Sequence, residues 1–344
     1  MKSIPNIWIG VLVVISGFSC CTPTPDNTTS DLNKAYGQKD YAEAYRIARA
    51  LADKGDASAQ RHIGLMYNHG QGVPQDYAKA AMWYQMAAKQ GDPEAQLRLG
   101  ILYNFGLGVP QKTASGVQWI LKSAEQGNVG AQSTLGWMYT EGIGVPQNYT
   151  EASKWYLLAA EGGEAEAQFQ IGWMYNNGLG VVRNDTEAAK WYQLAAGQGD
   201  ERAPFHLGVI YQGGQGVSRD NAKAAYWFGK AAEGGDMTAM VNLGRLLHDG
   251  VGMPRDNVKA VTWFRRAAEH GEPSGQFALG MMYAEGEGVP QDFLQAHLWM
   301  NLAASRAEGD DRRKYVESRG AVERRMPPQQ IIEAQRLARE WKPK

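Results

Sequence analysis

Apolar and small residues recur at helical spacing along most of this chain, and the pattern repeats every 36 residues. In the first copy, one helix face is marked by Ala59, Ile63, Met66 and Tyr67. The face of a second helix is marked by Ala80, Trp83, Ala87 and Ala88. Between them, Gly70 and Gly72 end the first helix, and Asp76 is placed to cap the second. Each copy is therefore predicted to be a helix-turn-helix unit.

The repeat organises nearly the whole chain as a single array. Its clearest marker is a tryptophan spaced by 36 residues, at positions 83, 119, 155, 191, 227, 263 and 299. One copy is too small to fold alone, so neighbouring copies must share buried faces, and the Trp and Tyr columns are expected to fill the space between successive helix pairs. The predicted fold is all-α: a right-handed superhelical α/α solenoid of seven 36-residue helix-turn-helix repeats with helical caps.

The repeat resembles the Sel-one-like repeat family, relatives of the tetratricopeptide repeats. The resemblance rests on the motif Ala59-x4-Gly64-x2-Tyr67-x2-Gly70-x-Gly72-Val73-x2-Asp76-x2-Lys79-Ala80-x2-Trp83-Tyr84-x2-Ala87-Ala88-x2-Gly91 and covers residues 57–306. Departures are local: Val182 and Ser218 replace the loop proline, and Gly275 replaces an alanine. The resemblance implies a concave groove lined by the first helices, which would bind a protein or peptide partner.

The N-terminus is interpreted as a targeting segment. Residues 1–20 have a signal-peptide pattern with an apolar run from Ile7 to Phe18, and their end resembles the lipobox of a bacterial lipoprotein. Cys20 or Cys21 would then carry the lipid; two incidental cysteines after an ordinary signal peptide are the alternative. Thr22 after Cys21 favours the outer membrane. We therefore expect secretion across the inner membrane, a periplasmic location and membrane contact through the anchor.

The remaining segments flank the repeats. Residues 21–30 contain two prolines and no apolar anchor, and are predicted to form a flexible tether. Residues 31–56 are predicted to form an N-terminal helical cap with a half repeat, comprising helices over 31–38 and 40–54. Residues 307–344 are predicted to form a C-terminal helical cap, with helices over 308–325 and after Pro328.

Charge and composition argue against several function classes. The formal net charge of −1 does not supply the clustered cations that nucleic-acid binding needs. The six histidines show no metal-ligand spacing, and the only two cysteines, Cys20 and Cys21, are adjacent. The Gly-x-Gly loops follow helices and lack a phosphate-binding lysine, which favours helix caps over a nucleotide site. We expect no cofactor, no metal and no enzymatic activity.

A partner would contact first-helix residues that lie outside the core columns. The predicted groove residues are Asn104, Phe105, Trp137, Thr140, Phe169, Trp173, Asn176, Phe205 and Gln212. Aromatic side chains beside amide and hydroxyl groups are typical of binding hot spots. The alternative is that Trp137, Trp173, Phe169 and Phe205 pack against the neighbouring first helix as core residues.

The leading hypothesis is a non-enzymatic protein-interaction scaffold at the bacterial cell envelope. One alternative is a subunit of a polysaccharide export or secretion assembly that binds glycan, since exposed aromatic rings also stack on sugars. Another is a surface receptor for a host protein.

Overall fold

The computed structural model describes residues 27–344, and every regular element in that range is an α-helix. The first nine are α1 Asn27–Gly37, α2 Tyr41–Ala52, α3 Ala57–His69, α4 Tyr77–Lys89, α5 Pro93–Phe105, α6 Thr113–Glu125, α7 Val129–Glu141, α8 Tyr149–Glu161 and α9 Ala165–Asn177. The next nine are α10 Asp185–Gly197, α11 Ala203–Gly213, α12 Asn221–Glu233, α13 Met237–Asp249, α14 Asn257–Glu269, α15 Pro273–Glu285, α16 Phe293–Arg306, α17 Gly309–Glu323 and α18 Pro328–Glu340.

The helices group into two compact units. The N-terminal unit runs to Ile171 and includes Leu179–Val182, and the C-terminal unit comprises Gly172–Gly178 and Arg183–Lys344. In the N-terminal unit, α3 packs with α4, α4 with α5 and so on along the chain; in the C-terminal unit, α11 to α16 do the same. This succession of helix pairs confirms the predicted all-α solenoid class.

Side-chain caps fix where the second helices begin. The Oδ1 atom of Asp76 accepts a hydrogen bond of 2.9 Å from the backbone N–H of Lys79, three residues into α4. The same bond is made at the equivalent position of five other copies, by Asn148, Asn184, Asp220, Asp256 and Asp292. Lys112 breaks the pattern, and α6 begins without a side-chain cap.

The two loop glycines have different roles. Gly70 ends α3 in the left-handed conformation, with φ of 68°, as predicted for a cap. Gly72 also has a positive φ, and a Cβ there would be 2.6 Å from the backbone O of Tyr41 in α2. Gly72 therefore brings its loop into backbone contact with the preceding helix pair, which requires the absence of a side chain.

The residue after the repeat tryptophan fills the helix pair, and it is aromatic in five of the seven copies. Tyr84 is fully buried, whereas Trp83 is only partly buried, lies against the core of the preceding pair and has the Arg49 guanidinium 5.0 Å from its ring. Tyr84 fits because Gly64 faces it: a Cβ on Gly64 would be 2.5 Å from Cδ1 of Tyr84. The Trp column thus lies between successive pairs as predicted, but it forms the margin of the core rather than its centre.

The N-terminal cap starts earlier than predicted. Helix α1 begins at Asn27, so it includes residues 27–30, for which the sequence predicts a flexible tether. Leu32 and Ala35 are buried against α2 and anchor the helix, and one helical turn extends on the N-terminal side of Leu32. The predicted signal peptide, the lipid-bearing Cys20 or Cys21 and the rest of the tether lie outside the described residues.

At the C-terminal end, α16 packs against three other helices. It packs against α15, α17 and α18, and Trp299 is more buried than the earlier members of its column. Tyr315 of α17 stacks on Phe277 of α15 at 4.3 Å, and Trp341, after α18, meets Trp299 edge-on at 6.1 Å. These two helices terminate the array by covering its last repeat.

Candidate partner-binding surface

The predicted groove residues of the N-terminal unit lie on α5, α7 and α9, and their exposure differs. Phe105, Trp137 and Thr140 are partly exposed, whereas Asn104 and Phe169 are buried. In the C-terminal unit, the four predicted residues are all partly exposed: Trp173, Asn176, Phe205 and Gln212. Seven of the nine predicted residues therefore have surface that a partner could contact.

Trp137 and Phe105 pack against a cluster of buried apolar side chains. Both pack against the buried core formed in part by Leu97 and Ile101 of α5 and Leu135 of α7. Each of these two side chains therefore packs against the core with one part and is exposed to solvent with another. A partly exposed aromatic ring that is held in place by the core loses little conformational entropy when a partner binds.

Asn104 contacts the loop and the second helix instead of the groove. It is 3% exposed, and its backbone O accepts a hydrogen bond of 2.9 Å from Nε2 of Gln111. Gly116 replaces the alanine of the other copies, and a Cβ there would be 3.0 Å from the backbone N of Asn104. Helix α6 consequently lies close enough to α5 to bury Asn104, which removes its side chain from the predicted surface.

Phe169 and Phe205, the other two predicted phenylalanines, differ in how deeply their side chains are buried. Phe169 is 7% exposed, which supports the alternative that it packs within the repeat stack. Phe205 is partly exposed, with its ring 6.0 Å from Phe228 and 5.6 Å from His206. Phe205 therefore borders the core of its own helix pair, and part of its side chain is exposed.

The polar candidates make local hydrogen bonds that leave part of each side chain exposed. Thr140 Oγ1 donates to the backbone O of Gly136 at 2.9 Å. Asn176 Nδ2 donates to Oδ1 of Asp185 at 2.8 Å, next to an ion pair between Asp185 and Arg183. These bonds orient the side chains, so a partner would meet preorganised polar groups.

A buried glutamine at one position of the repeat links successive helices, and the sequence analysis does not predict it. Gln96 Nε2 donates to the backbone O of Ala88, at the end of α4, and Gln96 Oε1 accepts from Gln126 at 2.7 Å. Equivalent bonds to the preceding helix end are made by Gln60, Gln132, Gln168 and Gln276. The signal was available, because glutamine recurs at this repeat position in five of seven copies.

Two histidines on first helices are held neutral by their surroundings. Burial lowers the pKa of His62 to about 4, and the nearby Arg61 guanidinium acts in the same direction. His62 Nδ1 lies 2.8 Å from the backbone O of Ser58, to which it donates. Burial also lowers the pKa of His206, whose ring stacks on Tyr192 at 5.0 Å. Both rings act as aromatic packing groups at neutral pH.

Two general properties of residues 27–344 bear on the surface. None of their helices is long and apolar enough to span a bilayer. Among the same residues, no three or more His, Cys, Asp or Glu side chains are grouped so that they could hold a metal ion.

Comparison with known proteins also finds seven repeats, over residues 57–307. The Sel1 repeat pattern matches seven segments, residues 57–92, 93–128, 129–164, 165–200, 203–236, 238–272 and 273–307. No curated protein matches the chain.

Two solved structures are similar over most of the chain. A protective antigen of uropathogenic Escherichia coli with an SLR fold is 36% identical, with a TM-score of 0.81, covering 91% of this chain and 69% of the antigen. A Sel1 repeat protein from Oxalobacter formigenes is 33% identical, with a TM-score of 0.58, covering 71% of this chain and 97% of that protein.

Proposed function

The chain belongs to the Sel1 repeat family, whose members generally act as protein-interaction scaffolds, and from that premise we propose that it is a non-enzymatic scaffold of the bacterial cell envelope. Its first-helix surface binds a protein partner. The observation that carries the proposal is the partial exposure of Trp137 and Trp173, two aromatic residues outside the Trp column. Tryptophans of this kind contribute disproportionately to protein interfaces.

The envelope location rests on the N-terminal sequence. A lipid on Cys20 or Cys21 would leave five or six residues before α1 begins at Asn27. An extended chain of that length spans no more than about 25 Å. The N-terminal unit would therefore stay close to the membrane surface, and partners would be recruited there. Mass spectrometry of the mature N-terminus in Cys20→Ala and Cys21→Ala variants identifies the acylated residue.

The experiment that tests the scaffold proposal is a crosslinking pull-down from envelope fractions, with the protein expressed at native level. We expect one specific protein partner, captured by the wild type and lost in a Trp137→Ala, Trp173→Ala double variant. Met82→Ala and Tyr226→Ala are matched controls, because both side chains are exposed on second helices. The controls should retain the partner.

Two outcomes contradict the scaffold proposal. Capture that is equally lost in the Met82 and Tyr226 controls would show that the first helices are not the binding surface. Absence of any protein partner, followed by binding on an oligosaccharide array, would instead support the glycan-binding alternative. Thermal melting of each variant separates loss of binding from loss of the fold.

A second candidate is favoured by one comparison. The relative from uropathogenic Escherichia coli is a protective antigen. Display on the outer surface, with a host protein as the partner, is therefore the second candidate for this chain. Protease treatment of intact cells distinguishes the two: degradation supports display, and protection supports a periplasmic scaffold.

A further inference from the structure

One loop position of the repeat, directly before the N-cap of the second helix, holds a glutamine or an arginine in every copy. Each glutamine donates through Nε2 to a backbone O in the last turn of the first helix, at residues 75, 111, 147 and 291. Arg183 pairs with Asp185 at 2.9 Å. Arg255 pairs with Glu287, also at 2.9 Å. The side chain of the remaining arginine, Arg219, makes no hydrogen bond or ion pair with any residue from 27 to 344.

The surroundings of Arg255 show which group Arg219 lacks. Glu287 belongs to the loop of the following copy, and its Oε2 accepts from Nη2 of Arg255 at 2.9 Å and from Nδ2 of Asn257 at 3.2 Å. The same Oε2 lies 3.3 Å from Nδ1 of His248. Three side chains of one copy, from the end of α13, the loop and the start of α14, thus surround one carboxylate.

The same three positions one copy earlier are occupied by Gln212, Arg219 and Asn221, which can all donate hydrogen bonds. Gln212 and Asn221 are partly exposed, and Arg219 is exposed. None of the three side chains has a hydrogen-bond partner in the described part of the chain, and Oδ1 of Asn221 is buried. The position that corresponds to Glu287 is Val251. This copy therefore keeps the donors and has no carboxylate for them.

The backbone places Val251 as it places Glu287. A Cβ on Gly252, the residue after Val251, would be 2.5 Å from the backbone O of Asn221. A Cβ on Gly288, the residue after Glu287, would be 2.3 Å from the corresponding backbone O. Each loop thus meets the preceding second helix equally closely. The side chain of valine is one carbon too short to reach the position of a glutamate carboxylate, so Val251 supplies no counter-charge.

The acidic residue next to Arg219 in the chain is already engaged. Asp220 caps α12 by accepting a hydrogen bond from the backbone N–H of Lys223 at 3.0 Å, and its Oδ2 lies 3.6 Å from Nζ of the same lysine. The position that Asp185 occupies one copy earlier is the neutral Asn221. Among the described residues, no carboxylate therefore compensates the charge of Arg219.

We propose that Gln212, Arg219 and Asn221 bind the carboxylate of an Asp or Glu side chain of the protein partner, which takes the position that Glu287 takes one copy later. Arg219 supplies the charge, and its guanidinium can donate two parallel hydrogen bonds to one carboxylate. The two amides donate further hydrogen bonds. The inference rests on the proposed scaffold function and adds the chemistry of one contact with the partner.

The test is fluorescence polarisation with the full-length protein and two labelled peptides of equal length, built from alternating Glu and Ala or alternating Gln and Ala. Both peptides have blocked termini, so only side chains carry carboxylates. We expect the Glu–Ala peptide to bind at least about tenfold more tightly at low salt, because hydrogen bonds to a charged group are the stronger ones. Arg219→Gln should remove this preference. Arg255→Gln is the matched control and should retain it, because Arg255 is already paired with Glu287.

Two reciprocal substitutions test the position of the bound carboxylate. Val251→Glu supplies the carboxylate from within the chain and should abolish the preference for the Glu–Ala peptide. Glu287→Val removes it from the following copy and should add a second site for that peptide, at Arg255. Urea unfolding shows whether each variant is folded, and Arg219→Gln, at an exposed position, keeps the test decisive if Val251→Glu is not.

Equal binding of the Glu–Ala and Gln–Ala peptides would overturn the inference, as would a preference that Arg219→Gln leaves unchanged. Arg219-dependent binding of oligogalacturonate, with no preference for the Glu–Ala peptide, would overturn it in favour of an acidic glycan. The pull-down separates this inference from the scaffold proposal. A partner captured equally by the wild type, Arg219→Gln and Val251→Glu refutes this inference alone, whereas absence of any captured protein refutes the scaffold itself.

Discussion

Gly208 lies directly against the ring of Phe228, and a Cβ on Gly208 would be 2.5 Å from Cδ1 of that ring. Phe228 is fully buried, so the ring has no open space into which it could move. The same relationship joins Gly64 to Tyr84, Gly136 to Tyr156, Gly172 to Tyr192 and Gly244 to Phe264. The glycine column is therefore the complement of the buried aromatic column, and together they set the distance between the two helices of a pair.

Substitution Gly208→Ala should destabilise the protein by about 1–3 kcal/mol, because the added methyl overpacks a filled core. Gly229→Ala is the matched control. Gly229 is also in a helix and follows Phe228 in the chain, but a Cβ there would meet nothing within 4 Å. The control should be neutral or stabilise by about 0.5–1 kcal/mol, through helix propensity alone. Urea unfolding of both variants measures the difference, and equal effects would show that the glycine–ring contact is not tight.

Periodicity predicted the helices and their repeat register, but it could not decide which aromatic is buried. Trp83 and Tyr84 are adjacent, both are large and apolar, and both recur or are replaced by other large residues in each copy. The choice depends on what faces them, and only the three-dimensional pairing of Gly64 with Tyr84 supplies that. The larger residue remains at the margin of the core, where its ring contacts Arg49.

Gln96→Leu should destabilise the protein although it adds an apolar side chain to a buried position. The change leaves the backbone O of Ala88 without its side-chain donor and removes the acceptor of Gln126. The backbone O of Ala88 still accepts from the N–H of Gly91, and Gln126 Nε2 still donates to the backbone O of Lys122. The cost is therefore that of two ordinary hydrogen bonds, about 0.5–1.5 kcal/mol each. Gln118→Leu, at an exposed position on α6, is the control and should stay within about 0.5 kcal/mol of the wild type. Guanidinium unfolding compares them; equal stabilities would show that the glutamine bonds contribute nothing.

The candidate surface was predicted by repeat position, and that approach is limited by substitutions elsewhere in the copy. Asn104, Thr140 and Asn176 occupy equivalent positions, but only Asn104 is buried. The cause is Gly116 on the facing helix, where the other copies have alanine. A side chain's exposure therefore depends on the size of its neighbours across the helix pair, which a pattern along one helix does not report.

Acid should destabilise the protein through His62. Its pKa is about 4 in the folded chain, against about 6.5 when unfolded. As pH falls from about 6.5 to about 4, the unfolded chain binds a proton that the folded chain does not, so the free energy of unfolding decreases. The full loss is on the order of 3 kcal/mol, complete below the folded pKa.

The measurement for His62 is urea unfolding between pH 7.5 and pH 4 in the wild type and in His62→Gln. Glutamine retains a donor for the backbone O of Ser58 but does not titrate. The variant should show a shallower decline with acid than the wild type. If the free energy of unfolding falls equally with pH in both proteins, the pKa of His62 is the same in the folded and unfolded chains, which contradicts the prediction. Because the pKa of His69 and His206 is also lowered, the difference between the two curves isolates His62.

The C-terminal cap should stabilise the last repeat through Trp341. Its ring contacts Trp299 edge-on and lies 4.6 Å from the Arg306 guanidinium. Trp341→Ala should cost about 2 kcal/mol, less than for a fully buried tryptophan, since Trp341 is partly exposed. It should also give Trp299 access to water, shifting its emission to longer wavelength. Lys342→Ala, an exposed neighbour, is the control. An unchanged melting temperature in Trp341→Ala would show that the contacts of Trp341 do not stabilise the last repeat.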